Sequence, residues 1–254
     1  MTDSSDLSFA YADVAGMLDH AVLVPNLTDA DLAAGCRLAV AYGAASACVM
    51  PYYIGKCAEH FAGTPQIPCC VIGFPHGNAL TAAKVAEATE ATRLGAGELD
   101  MVSNISKVKS GDWQWVKDDI KAVVDAGHAG GAKVKVIFET CYLEDEEKRR
   151  LCDICGEVGA DWVKTSTGFG NPPEGRSAGA TDHDLKLMRA AAPPHVQVKA
   201  SGGIRDLDGL LRVRALGCTR VGASATKAIC DEARKRLGLE PITVEANRDG
   251  GTSY

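Results

Sequence analysis

The sequence has no uninterrupted apolar stretch near the roughly 18–20 residues that a membrane span needs, so no transmembrane helix is expected. Its opening, MTDSSDLSFAYAD, lacks the basic region and the apolar region of a secretory signal, and the chain is expected to stay in the cytoplasm. Positive charge is also short. The 27 Lys and Arg stand against 33 Asp and Glu, a formal net charge of −6, which argues against nucleic acid as a partner of the protein body. Any anionic ligand must then be held by a local site. No G-x-G-x-x-G follows the first strand candidate, so the dinucleotide fingerprint of an open doubly wound sheet is missing. The six histidines show no H-E-x-x-H or other ligand spacing; His20, His76 and His183 fall at separate strand ends or loops. No metal and no cofactor is expected.

Cysteine is plentiful instead, with ten spread through helix and strand candidates alike, which reads as reduced core packing in a chain of this size. Cys152 and Cys155 form a C-x-x-C within the helical run EEKRRLCDICGEVG, without the second pair or nearby histidine that a zinc site needs.

Periodicity organises the rest. Short apolar runs alternate with amphipathic stretches eight times; the strand candidates are GMLDHAVL, ASACVMP, IPCCVIGFP, ELDMVSN, AKVKVIFET, DWVKTST, VQVKASGG and TRVGASA. Thr or Asp stands where helix N-caps are wanted and Gly where helices should stop, as in TDADL and ATRLGAG. Eight such units in 254 residues imply an α/β protein, a single (β/α)8 TIM barrel spanning 1–254, with a polar N-terminal segment 1–12 and a flexible tail 240–254.

Side chains alternate along a barrel strand between helix layer and interior. In VQVKAS the apolar Val196, Val198 and Ala200 suit the helix layer and turn Lys199 inward; in DWVKTS the same rule turns Lys164 inward. Asp100 faces in between Leu99 and Met101, and Lys135 and Glu139 face in between Val134, Val136 and Phe138. Buried lysines are costly, so two at the ends of adjacent strands point to amine chemistry. One is best explained as a nucleophile and the other as a nearby like charge that disfavours protonation of the first. Periodicity does not say which is which.

Barrels commonly hold phosphate with the loops after strands 7 and 8. In this chain those loops offer Gly202 and Gly203 in SGGIR, with Arg205 beside them, and Gly222 and Ser224 in GAS; Ser166, Thr167 and Gly168 follow strand 6. Three adjacent glycine-bearing turns beside two inward lysines favour an anion site over ordinary tight turns. On these grounds Tyr254, at the end of DGGTSY, stays unassigned.

Seven collinear motifs, LDHAVLVPNLT, GFPHG, GAGELDMVSNISKVKSGDW, KVIFETCYL, DWVKTSTGFG, VKASGGIR and RVGASA, together resemble deoxyribose-phosphate aldolases. The resemblance implies a metal-independent class I aldolase that cleaves 2-deoxy-D-ribose 5-phosphate to D-glyceraldehyde 3-phosphate and acetaldehyde. It makes Lys164 similar to the family's Schiff-base lysine, Lys199 to its second lysine and Asp100 to the acidic partner in proton transfer. It also implies a supporting place for Lys135, pocket positions for Asp19 and Cys48, and a protonating role for Tyr254. Exposed helices of such barrels often pair, which leaves a homodimer open without fixing the oligomeric state. Val24 stands where many relatives have lysine, and the loop FGNPPEGRSAGATD is longer than usual, with Arg176 either near the phosphate or in solvent. These departures keep open a related lysine aldolase or transaldolase-like enzyme on another sugar phosphate. A sugar-phosphate binding protein without turnover is the reading from outside enzymology.

Overall fold

Short runs rich in Val, Ile and Cys extend as strands because their side chains suit a pleated surface buried on both faces. A computed structural model describes residues 9–172 and 174–244. The eight expected runs form β1 Leu18–Val22, β2 Ser46–Val49, β3 Ile67–Ile72, β4 Glu98–Val102, β5 Lys133–Ile137, β6 Trp162–Lys164, β7 Gln197–Ser201 and β8 Arg220–Ala223. Each pairs in parallel with the next, and β1 pairs with β8, which closes the barrel. The TIM barrel expected from the alternation is the observed fold.

Parallel neighbours need crossovers, and helices supply them. They run over Asp29–Tyr42, Ile54–His60, Thr81–Arg93, Trp113–Ala129, Asp145–Val158, Asp182–Ala191 and Leu207–Ala215, and Thr226–Arg236 follows β8. The Thr28 hydroxyl accepts from Asp31 N–H at 3.3 Å while the Asp31 carboxylate accepts from Thr28 N–H at 2.9 Å, a reciprocal cap that starts the first long helix. Gly43 ends that helix at φ 71°.

Three helices are absent from the periodicity: Tyr11–Ala15, Ile54–His60 and Ile105–Lys109. At five to seven residues they are too short to register a 3.6-residue period. The first of them begins inside the polar segment 1–12. At the other end, Ile242 and Val244 pack against the core although they belong to the expected flexible tail. Tyr254 lies outside the described residues.

The two faces of the strands divide as alternation requires. Leu99, Met101, Val134, Val136, Val163, Val196 and Val198 are fully buried in the cluster shared with the helices. On the inner face, Asp100 pairs in register with Lys135, and Lys164 with Lys199. Lower in the barrel, Glu98 accepts from Lys135 at 2.5 Å and from Arg220 at 2.8 and 3.1 Å. Trp162 forms the floor. Its ring lies about 5.4–5.5 Å from the cationic groups of Lys133, Lys135 and Arg220, and its indole N–H donates to Thr219 Oγ1 at 3.0 Å.

Candidate active site

A cavity of about 230 Å³ opens at the C-terminal ends of the strands, where barrel loops can vary without disturbing the core. Ten of the expected site residues line it: Asp19, Cys48, Lys164, Lys199, Thr167, Gly168, Gly202, Gly203, Gly222 and Ser224. Arg205 joins them, and Ala21 and Leu23 add an apolar side.

Beneath this cavity lies Asp100, fully buried and surrounded by amines. Its Oδ2 accepts from Lys164 Nζ at 2.7 Å and from Lys199 Nζ at 2.7 Å, and its Oδ1 accepts from Lys135 Nζ at 2.8 Å. Burial alone would push the Asp100 carboxyl up; the ammonium groups of Lys135, Lys164 and Lys199 outweigh it and hold the group well below the usual carboxylate range. Lys199 is also ion-paired with Asp19 Oδ2 at 2.5 Å. Burial pushes its amine down, but Asp100 and Asp19 leave it above the ordinary lysine value, a fixed positive charge. Asp19 is steadied in turn by Ser46 Oγ at 2.7 Å and Arg220 at 2.5 Å.

Lys135 does not line the cavity. It is fully buried one layer lower, its amine taken up by Glu98 and Asp100, so it supports Asp100 from below. Burial would lower its pKa, but Asp100, Cys69, Asp19 and Glu98 together raise it well above the ordinary value. That ammonium also lies 3.5 Å from Cys69 Sγ, so a protein cation already stands against two members of the Cys48, Cys69 and Asp100 group. Arg176 is likewise placed away from the cavity. It donates to the carbonyls of Cys141 and Leu143 at 3.3 Å each and pairs with Glu144 at 2.5 Å, stitching the loop after β6 to the loop after β5.

The glycines have local reasons. Gly202, at φ 82°, passes so near Gly179 that an added Cβ would lie 2.8 Å from its Cα, which lets the loops after β6 and β7 touch backbone to backbone. A Cβ on Gly222 would press on Ser201 Cβ at 3.1 Å and meet Lys199 Cε at 3.4 Å, so glycine keeps room for the lysine stem.

Glu98 and Arg220 are not singled out in the sequence reading, although the same two-residue alternation finds them: Glu98 precedes Asp100 by two, and Arg220 precedes the outward Val221. Glu139 is the other surprise. It is buried as the inward expectation requires, at 2% exposed, but its backbone is left-handed, at φ 56°. That conformation costs a non-glycine residue on the order of 1–3 kcal/mol.

The DeoC/LacD family aldolase pattern matches residues 14–232, a span that holds every strand and the whole cavity wall. The chain belongs to the DeoC/LacD aldolase family. Among DeoC/LacD relatives, the deoxyribose-phosphate aldolase of Rhodopirellula baltica is 52% identical over 243 residues, covering 96% of this chain and 98% of its own. That of Caldanaerobacter subterraneus is 45% identical, covering 88% and 95%. Among solved structures, an aldolase designated QR15 superposes with a TM-score of 0.82 at 38% identity, covering 90% of this chain and 99% of its own. The tetrameric deoxyribose phosphate aldolase of Aeropyrum pernix gives 0.81 at 31% identity, covering 90% and 93%.

Proposed function

We propose that this aldolase cleaves 2-deoxy-D-ribose 5-phosphate reversibly to D-glyceraldehyde 3-phosphate and acetaldehyde, through a Schiff base on Lys164. The observation that carries the reading is the Asp100 carboxylate holding two amines on one oxygen while only the Lys164 and Lys199 side of that cluster opens to the cavity. Lys199 is gripped by two carboxylates, Asp19 and Asp100, whereas Lys164 has one. The freer amine is the better nucleophile.

Lys164 Nζ attacks the C1 aldehyde, and loss of water gives the iminium. Asp100, through a water and with help from Lys199, takes up the C3 hydroxyl proton as the C2–C3 bond breaks; the bond's electron pair moves toward the iminium nitrogen and leaves an enamine. Glyceraldehyde 3-phosphate departs. Protonation of the enamine at C2, assigned to Tyr254 on the family resemblance, and hydrolysis then release acetaldehyde and free Lys164. The phosphate is assigned to the backbone N–H groups of the loops carrying Gly168, Gly202, Gly203 and Ser224, with Arg205 alongside. A cytoplasmic homodimer completes the proposal, and sedimentation velocity tests its stoichiometry.

The deciding experiment is borohydride reduction in the presence of deoxyribose 5-phosphate, read by intact and peptide mass. A reduced adduct on Lys164, absent from Lys164→Ala, is expected. No adduct would favour a binding protein, and an adduct on Lys135 or Lys199 would move the nucleophile to that residue.

A further inference from the structure

Glu139 is a buried acid beside the reaction chamber that the mechanism leaves unused. Its backbone is the one non-glycine position with positive φ among the described residues. The neighbouring amides do not give up their pairing to allow this. Phe138 N–H still donates to Lys164 O at 2.9 Å and Thr140 N–H to Thr165 O at 3.0 Å. The left-handed turn therefore aims the Glu139 side chain while the strand stays attached on both sides of it.

What the side chain reaches is Thr167. Both carboxylate oxygens accept from Thr167 N–H at 3.3 Å, and Oε2 also accepts from the Thr167 hydroxyl. That hydroxyl accepts in turn from Phe169 N–H at 2.9 Å. Gly170 then passes over the carboxylate so closely that an added Cβ would sit 3.3 Å from Glu139 Cδ. The amides on either side of Gly168 are thus committed to one acid, directly or through the hydroxyl, and Gly168 is left at the cavity wall at φ 88°.

We propose that Glu139 is a positioning residue for the phosphate end of the substrate, acting through Thr167 to fix the Gly168 backbone against the cavity. The inference rests on the sugar-phosphate reading above. A carboxylate carries the wrong charge to touch a phosphate itself, and this one is turned to Thr167, with the Cys141 thiol 3.9 Å from its Oε1. Burial pushes the Glu139 carboxyl up, and the hydrogen bonds from Thr167 counter that. Lys164 Nζ is hydrogen-bonded to Asp100 and not to Glu139, although its charge acts on the Glu139 carboxyl across the intervening space, so loosening Glu139 should reach binding of the phosphate before it reaches the chemistry.

The test is steady-state kinetics of Glu139→Ala and Glu139→Gln with deoxyribose 5-phosphate and with unphosphorylated 2-deoxyribose. Glu139→Ala is expected to raise KM for the phosphate ester about 10-fold with kcat within about 3-fold, and to change kcat/KM for 2-deoxyribose less than about 3-fold. Glu139→Gln, which keeps an acceptor oxygen, is expected to recover most of that KM. Equal losses on both substrates, a fall in kcat at unchanged KM, or no effect would overturn the proposal. Should Glu139→Ala not fold, Thr167→Val decides: it removes the hydroxyl link, and an unchanged KM for the phosphate ester rejects the role. A wild-type protein that forms no borohydride adduct would count against the aldolase reading instead. Calorimetric titration with inorganic phosphate then reads the Glu139 role alone, with weaker binding in Glu139→Ala expected and equal binding overturning it.

Discussion

Lys164 and Lys199 donate to the same oxygen, Asp100 Oδ2, each at 2.7 Å, so their amines stand no more than twice that distance apart. Two groups so close do not tolerate equal roles. Lys164→Met is expected to lower kcat by about three orders of magnitude or more, because the covalent step is gone. Lys199→Met, which keeps the nucleophile, is expected to cost about 10²–10⁴-fold, the range of a lost acid–base group. Borohydride should still trap substrate on Lys164 in Lys199→Met; a variant that forms no adduct there would not support the division of labour.

Asp100→Asn keeps the shape and removes the charge that three buried amines share. Leaving buried charges uncompensated typically costs about 3–5 kcal/mol, and urea unfolding should show a loss of that order. A variant as stable as the wild type would mean that water or the remaining carboxylates take over.

His20 is buried, hydrogen-bonded to Thr226 Oγ1 at 3.0 Å, and burial holds its pKa down to about 4, against 6.5 ordinarily. Between these values the unfolded chain binds the proton and the folded chain does not. Stability from this site is therefore present above pH 6.5 and lost as pH falls toward 4, by up to about 3 kcal/mol. The difference in urea midpoint between wild type and His20→Gln should narrow across that window; a constant difference would show that His20 is free to protonate in the fold.

Arg176→Ala leaves the cavity wall untouched, since the guanidinium is engaged with Cys141 O, Leu143 O and Glu144. KM for deoxyribose 5-phosphate should stay within about 2-fold, with at most a modest loss of stability, as for other exposed pairs. A large rise in KM would put this arginine on the phosphate after all.

The eight strands and the inward direction of Asp100, Lys135, Lys164 and Lys199 were legible because alternation is a strong local signal when Leu99, Met101, Val134 and Val163 mark the opposite face. Depth was legible only in part. Lys135 stands early in KVKVIFET, but its burial beneath the cavity wall depends on Glu98 and Asp100, which come from β4. The conformation of Glu139 was hidden for a related reason: its left-handed turn answers to Thr167, which is 28 residues away. Arg176 had two open fates in the sequence, and only the meeting of the loops after β5 and β6 chose between them.

Glu98, Lys135 and Trp162 are all buried beneath Asp100, so side chains fill the lower barrel and make it a cul-de-sac. In a chamber with one door, the fragment nearer the exit has to leave before the one behind it. If the three-carbon phosphate lies by the loops and the two-carbon remnant is tethered deeper, the order of departure is dictated by architecture as well as by the covalent bond. Run in the synthetic direction, the same traffic rule makes the small aldehyde the first guest to be seated.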